Sequence, residues 1–177
     1  MVQWNFDGEE LLVLARLDIQ KGTTDQGLSK LKQGLESADC PVEAHLEIAR
    51  VYAQLGLREK ARRHFQSYLH SRPDDVDATF QFGMVHFEDS QTDAALELWS
   101  NVLRRQAQYP PALFFSALAT AKRGQVAEAK VMLRATMESI PADNLYFTRS
   151  RDLLTSLEEG GQTGPLDSAS LSGELRH

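Results

Sequence analysis

The sequence predicts an all-α fold, a stack of antiparallel helix hairpins, and three observations predict it. The first is a period of 34 residues: segments beginning at Gly8, Val42, Val76 and Pro110 align without insertion or deletion. The second is a small residue at two fixed offsets. The eighth position reads Ala15, Ala49, Gly83, Ala117 and the twentieth Gly27, Ala61, Ala95, Ala129. The third is a large apolar residue at the twenty-fourth, Leu31, Phe65, Trp99, Leu133, with a fifth-position ladder of Leu12, Leu46, Phe80, Phe114. A unit of this size cannot bury its apolar face alone, so copies stack and share a continuous core. The expected organisation is a lead segment 1–7 and four repeats over 8–143 (8–41, 42–75, 76–109, 110–143). A capping helix 144–159 and a flexible tail 160–177 complete it.

Each element has its local reason. Apolar residues at positions 4, 7, 8 and 11 of a copy recur at helical spacing and define one face of a first helix. Asp7 and Glu10 form a capping pair that opens the first of these. Position 15 is Gly22, Gly56 and Gly124 in three copies, the residue suited to a left-handed helix end. The third copy has Asp89 and Ser90 there, side chains that bond their own backbone. A second helix then starts at about Thr24, Arg58, Thr92 and Val126, and small residues at positions 8 and 20 let the pair cross closely. After Asp143, Leu145 to Leu157 reads as one further amphipathic helix, suited to closing the last hydrophobic surface. Beyond Glu159, the run of Gly160, Gly161, Gly164, Pro165 and serines cannot bury enough apolar surface to order itself. Its leucines, Leu166, Leu171 and Leu175, leave a docking role open.

These offsets resemble the tetratricopeptide repeat family. Its pattern is a bulky residue at position 4, apolar at 7, small at 8, aromatic at 11, small at 20, aromatic at 24 and proline near 32. The second copy matches best, with His45, Ile48, Ala49, Tyr52, Ala61, Phe65 and Pro73. The third has Thr79, Phe82, Gly83, His86, Ala95 and Trp99, with Ala107 in place of proline. The fourth has Leu113, Ser116, Ala117, Thr120, Ala129, Leu133 and Pro141. The first departs most: Leu14, Ala15 and Leu31 fit, but Asp18 stands at the aromatic position and Asp39 at the proline. The resemblance covers about residues 8–143 and implies a right-handed superhelical solenoid of hairpins that serves protein interaction.

Chemistry is not expected. The 177 residues, 42% hydrophobic and 25% charged, suit one soluble domain, and the net charge of −6 disfavours nucleic acid and anionic membranes as partners. No apolar run reaches the ~20 residues of a membrane span. The N-terminus, with Asp7, Glu9 and Glu10 and no basic residue, does not read as a secretory signal, so a cytoplasmic location is expected. Cys40 has no partner for a disulfide. His45, His64, His70, His86 and His177 show no metal-ligand spacing, and no nucleophile elbow or phosphate loop occurs. The sequence therefore reads as a non-enzyme with no metal and no cofactor. Arg58, Lys60, Arg62, Arg63 and His64 fall on a second helix, which in this family faces solvent, and read as a charged outer face.

In the family the first helices line a concave groove through positions 2, 5, 9, 12 and 13. Those places hold Leu12, Arg16 and Ile19, then Leu46 and Arg50, then Phe80, Met84 and Phe87, then Phe114 and Leu118. Two arginines recur at one offset in the first half, and the second half is almost wholly apolar. This patterning predicts a groove for an apolar or amphipathic protein segment, its direction set by acidic residues meeting Arg16 and Arg50. The leading expectation is a peptide-binding adaptor or chaperone. The alternative is a self-assembling scaffold, in which the Trp4–Phe6 segment or the tail leucines of one copy fill the groove of a neighbour. The lysine and asparagine set by which such domains clamp heat-shock chaperone carboxylates is missing. Leu12, Arg16, Glu47, Asp77 and Gln81 occupy its places, so that partner is not expected.

Overall fold

The computed structural model describes residues 6–159. Among them are nine helices and no strand: α1 Gly8–Gln20, α2 Thr24–Gly34, α3 Glu43–Gln54, α4 Arg58–Ser71, α5 Val76–Glu88, α6 Thr92–Arg105, α7 Pro110–Lys122, α8 Val126–Ser139 and α9 Leu145–Glu158. The second helices of all four hairpins begin at the residues expected from the period. The flexible tail expected at 160–177, and Trp4, lie outside the described residues.

The chain divides into two compact units, one ending at Ala78 and the other beginning at Thr79. In the first, α1 packs along α2, α3 along α4, and α2 against α3. Its core is Leu11, Ala15, Leu31, Ile48, Ala49, Ala61 and Phe65, all buried. The amide of Glu10 donates to Asp7 at 2.8 Å while the amide of Asp7 donates to Glu10 at 3.0 Å. This reciprocal cap satisfies two otherwise orphaned groups at the start of α1. Gly22, Gly56 and Gly124 have φ of +84°, +70° and +82°, and Ser90 has +60° at the equivalent place. Every hairpin thus turns through one left-handed residue.

In the second unit, α6 packs on α7, α7 on α8, and α9 on both α7 and α8. Its centre is Trp99, Phe114, Phe115, Leu118 and Leu133, each 0–1% exposed. The role of α9 as a cover comes from Tyr146 and Leu153, which are buried, whereas Leu145 stands 56% exposed. The Tyr146 ring lies 5.8 Å from Phe114 and 6.5 Å from Phe115, so the cover adds an aromatic to the cluster beneath it.

Candidate interaction surfaces

In the first unit, the expected pair of arginines is built around a third residue. Arg16 on α1 donates from Nε to Glu47 Oε1 at 2.8 Å, and Arg50 on α3 places a guanidinium nitrogen 3.8 Å from the same oxygen. Glu47 is 14% exposed, while the Arg16 and Arg50 side chains are 48% and 39% exposed. Helical spacing supplies the second contact, since Glu47 lies three residues before Arg50. The first crosses between repeats, where α1 approaches α3. The result is one carboxylate under two accessible cations. Ile19 is half-buried, and Leu12 and Leu46 are only 7% and 6% exposed.

A contact between histidines was not foreseen. His45 on α3 and His64 on α4 bring their Nδ1 atoms to 2.9 Å, so one ring donates and the other accepts. The Tyr52 ring lies 5.6 Å from His64, and the ammonium groups of Lys32 and Lys60 sit 5.9 and 5.5 Å from the Tyr52 centroid. Burial, then the adjacent His45, then Lys32 push the His64 pKa down to about 4. Burial also lowers that of His45. The pair is therefore held neutral at neutral pH. Its two members are 19 residues apart on different helices, a separation no short motif reports. Among the described residues no group of three or more His, Cys, Asp or Glu could hold a metal ion.

The second unit corrects one expectation. Phe80, Met84, Phe87, Phe114 and Leu118, read as an open apolar face, are only 6%, 9%, 5%, 1% and 0% exposed. The physical cause is aromatic packing. Phe80 lies 6.1 Å from Trp99, 5.5 Å from Tyr109 and 5.8 Å from Phe115, and Phe87 lies 5.5 Å from Trp99. The Lys122 ammonium closes over Phe87, 4.7 Å from its centroid. Position 5 of these copies thus belongs to the core. The basic run on α4 is partly neutralised at home: Glu59 pairs with Arg62 and lies 3.4 Å from Arg63.

Repeated helix hairpins, each closed by a small residue against a large one, define a helical-repeat protein, a class whose surfaces serve protein interaction. Among its families the tetratricopeptide repeat matches residues 12–79 and 80–143, and the chain belongs to that family. Solved structures agree on the fold. MamA is 19% identical with a TM-score of 0.73, covering 82% of this chain and 83% of that one. YrrB, described as a TPR protein with an unusual peptide-binding site, is 18% identical with a TM-score of 0.70, covering 88% and 80%. A MamA fragment from Desulfovibrio magneticus is 16% identical with a TM-score of 0.71, covering 88% and 97%. None of the curated proteins compared matches the chain. Among the described residues no helix is long and apolar enough to cross a membrane.

Proposed function

We propose that the chain is a non-enzymatic adaptor or chaperone of the cytoplasm that holds an apolar or amphipathic segment of a partner protein. Arg16, Ile19 and Arg50 meet the segment directly, and Leu12 and Leu46 form the floor beneath it. Phe80, Met84, Phe87, Phe114 and Leu118 belong instead to the packed interior of the second unit. The observation that carries this reading is the pair of accessible guanidinium groups sharing Glu47. Both side chains are exposed enough to meet an incoming carboxylate, and charge-assisted bonds of that kind set the direction of a bound segment. An array of amphipathic peptides, matched in hydrophobicity and differing only in acidic or basic flanks, tests it. The acidic set should be retained, and equal retention of both sets would overturn the role given to the arginines.

A second reading, the self-assembling scaffold, is favoured by a different observation. Val13 and Leu17, four residues apart on one face of α1, are 57% and 44% exposed, with Phe6 36% exposed just before the helix. A second copy seated there would bury them. Sedimentation across a wide concentration range separates the two readings. A monomer at all concentrations removes the scaffold.

A further inference from the structure

At positions 7 and 11 of its first helix, the second repeat carries Ile48 and Tyr52 and the third Phe82 and His86. The fourth carries Ser116 and Thr120 on α7. Exchanging an apolar residue and a ring for two small hydroxyl residues removes side-chain volume that the repeat geometry still encloses. A cleft of about 450 Å³ opens at that place, lined by Ser116 and Thr120 together with residues of α6, α8 and the turn before α8. The two hydroxyl residues are 4% and 5% exposed. Neither hydroxyl oxygen is among the buried unpaired atoms of the described residues, and both residues line the cleft. Two hydroxyl residues on one wall of a cleft can exchange water for the polar group of a ligand.

The remaining lining defines the ligand. Leu96 and Leu103 of α6 and Met132 of α8 give apolar walls, and Arg104 and Arg123 stand against a single acid, Glu128. Glu128 is already engaged, accepting from Gln125 at 2.9 Å. Arg123 pairs at 3.3 Å with Asp93, whose side chain is 85% exposed, a contact readily exchanged for a ligand carboxylate. Arg104 bonds only the neutral amide of Asn101 among the contacts described for it.

We propose that the cleft among α6, α7 and α8 binds a partner peptide bearing an aromatic side chain beside acidic residues. The ring enters the volume that Tyr52 fills in the second repeat, between Leu96, Leu103 and Met132. A phenol at its tip reaches the hydroxyls of Ser116 and Thr120, which lie one helical turn apart. The flanking carboxylates meet Arg104 and Arg123. The site is separate from Arg16 and Arg50 and lies wholly within the second unit.

The test titrates the full chain with acetyl-Glu-Tyr-Glu-amide, followed by amide NMR, with acetyl-Lys-Tyr-Lys-amide as control. The expected result is saturable shifts at Ser116, Thr120 and Arg123 with the acidic peptide alone. Thr120→Tyr with Ser116→Ile rebuilds the pair of the second repeat, so it should weaken binding at least tenfold while raising Tm. Should that variant fail to fold, Arg104→Glu with Arg123→Glu leaves the cleft open and should reverse the peptide preference. Arg16→Glu with Arg50→Glu should leave the titration unchanged, which separates this site from the one proposed above. Absence of saturable shifts, equal response to both peptides, or survival of binding in the filled cleft would overturn the proposal. Movement of the Ser116 and Thr120 resonances on Leu166→Ser with Leu171→Ser, before any peptide is added, would assign the cleft to the chain's own tail and overturn a partner ligand.

Discussion

Gly83 and Trp99 fit each other as a matched pair: a Cβ built on Gly83 would lie 2.3 Å from Nε1 of Trp99. The same indole N–H donates to the Phe80 carbonyl at 3.2 Å, so the ring cannot slide away without losing a buried hydrogen bond. The other repeats show the complementary choice. Where position 24 is Leu31, Phe65 or Leu133, position 8 is Ala15, Ala49 or Ala117. Only the largest ring meets a glycine.

Gly83→Ala should therefore destabilise the protein by about 1–3 kcal/mol through overpacking. Better helix propensity at an interior site offsets at most about 1 kcal/mol of that. Trp99→Phe made alone loses the hydrogen bond and leaves a void. The double substitution restores the Ala–Phe pair of the second repeat, so its cost should fall well below the sum of the single costs. Urea unfolding of the four proteins measures the cycle, and additive costs would show that the two residues do not act as a pair.

A pH dependence follows from His45 and His64. The groups around them are one another, the Tyr52 ring, and the cations Lys32 and Lys60. The folded-state pKa of His64, about 4, lies below the ordinary value of 6.5. The unfolded chain then binds more protons between these values, and stability must fall as pH falls. Stability is full above about pH 6.5 and is lost progressively down to about pH 4. Since the pair is only partly buried and solvent screens its charge, the loss should be about 1–2 kcal/mol. Thermal melts at pH 7.5, 6 and 4.5 check it. His64→Phe should flatten the part of the profile that this pair contributes.

Much of the fold was legible because the period is a statement about packing. Ala15, Ala49, Gly83 and Ala117 mark where helices cross, and Gly22, Gly56 and Gly124 mark where they turn. The burial of Phe80 and Phe114 was not legible. Position along a helix tells which face a side chain leaves from, but not how far neighbours reach across it. Trp99, Phe115 and Tyr146 arrive from other turns and other helices, and their size closes a face that smaller residues would have left open. The same limit hid the contact of Glu47 with Arg16, which crosses 31 residues, whereas its reach to Arg50, three residues on, was legible. Ser116 and Thr120 stand in the sequence only as two residue types at positions 7 and 11. That they open a cleft depends on the residues opposite them.

The burial of Phe114 has a direct consequence for stability. With 1% exposure and rings of Phe115 and Tyr146 at 5.3 and 5.8 Å, Phe114→Ala should cost about 3–5 kcal/mol. Tyr146→Ala should cost a similar amount, since it uncovers the same cluster. Chemical denaturation measures both. A cost for Phe114→Ala under 1 kcal/mol would mean that its ring faces solvent and belongs to an open face.

The last prediction concerns the carboxylate that Arg16 and Arg50 share. Glu47 is mostly buried while both guanidinium groups are largely accessible, so it neutralises half of their charge and fixes where they point. Glu47→Gln removes that neutralisation but keeps an acceptor oxygen. Its effect on stability should be small, about 1 kcal/mol or less, because each ion pair is half in water. The affinity for an acidic amphipathic peptide should rise, because one negative charge is removed from beside the two guanidinium groups. Arg16→Glu with Arg50→Glu should abolish that affinity, whereas Arg62→Glu with Arg63→Glu on α4 should leave it nearly intact. Raising salt should weaken wild-type binding, and weaken it more in Glu47→Gln, since screening acts over about 8 Å at physiological ionic strength. Calorimetry of the four proteins at two salt concentrations decides the matter. Equal losses from the inner and outer arginine pairs would move the site off α1 and α3. A fall in affinity for Glu47→Gln would instead show that the carboxylate's aim matters more than its charge.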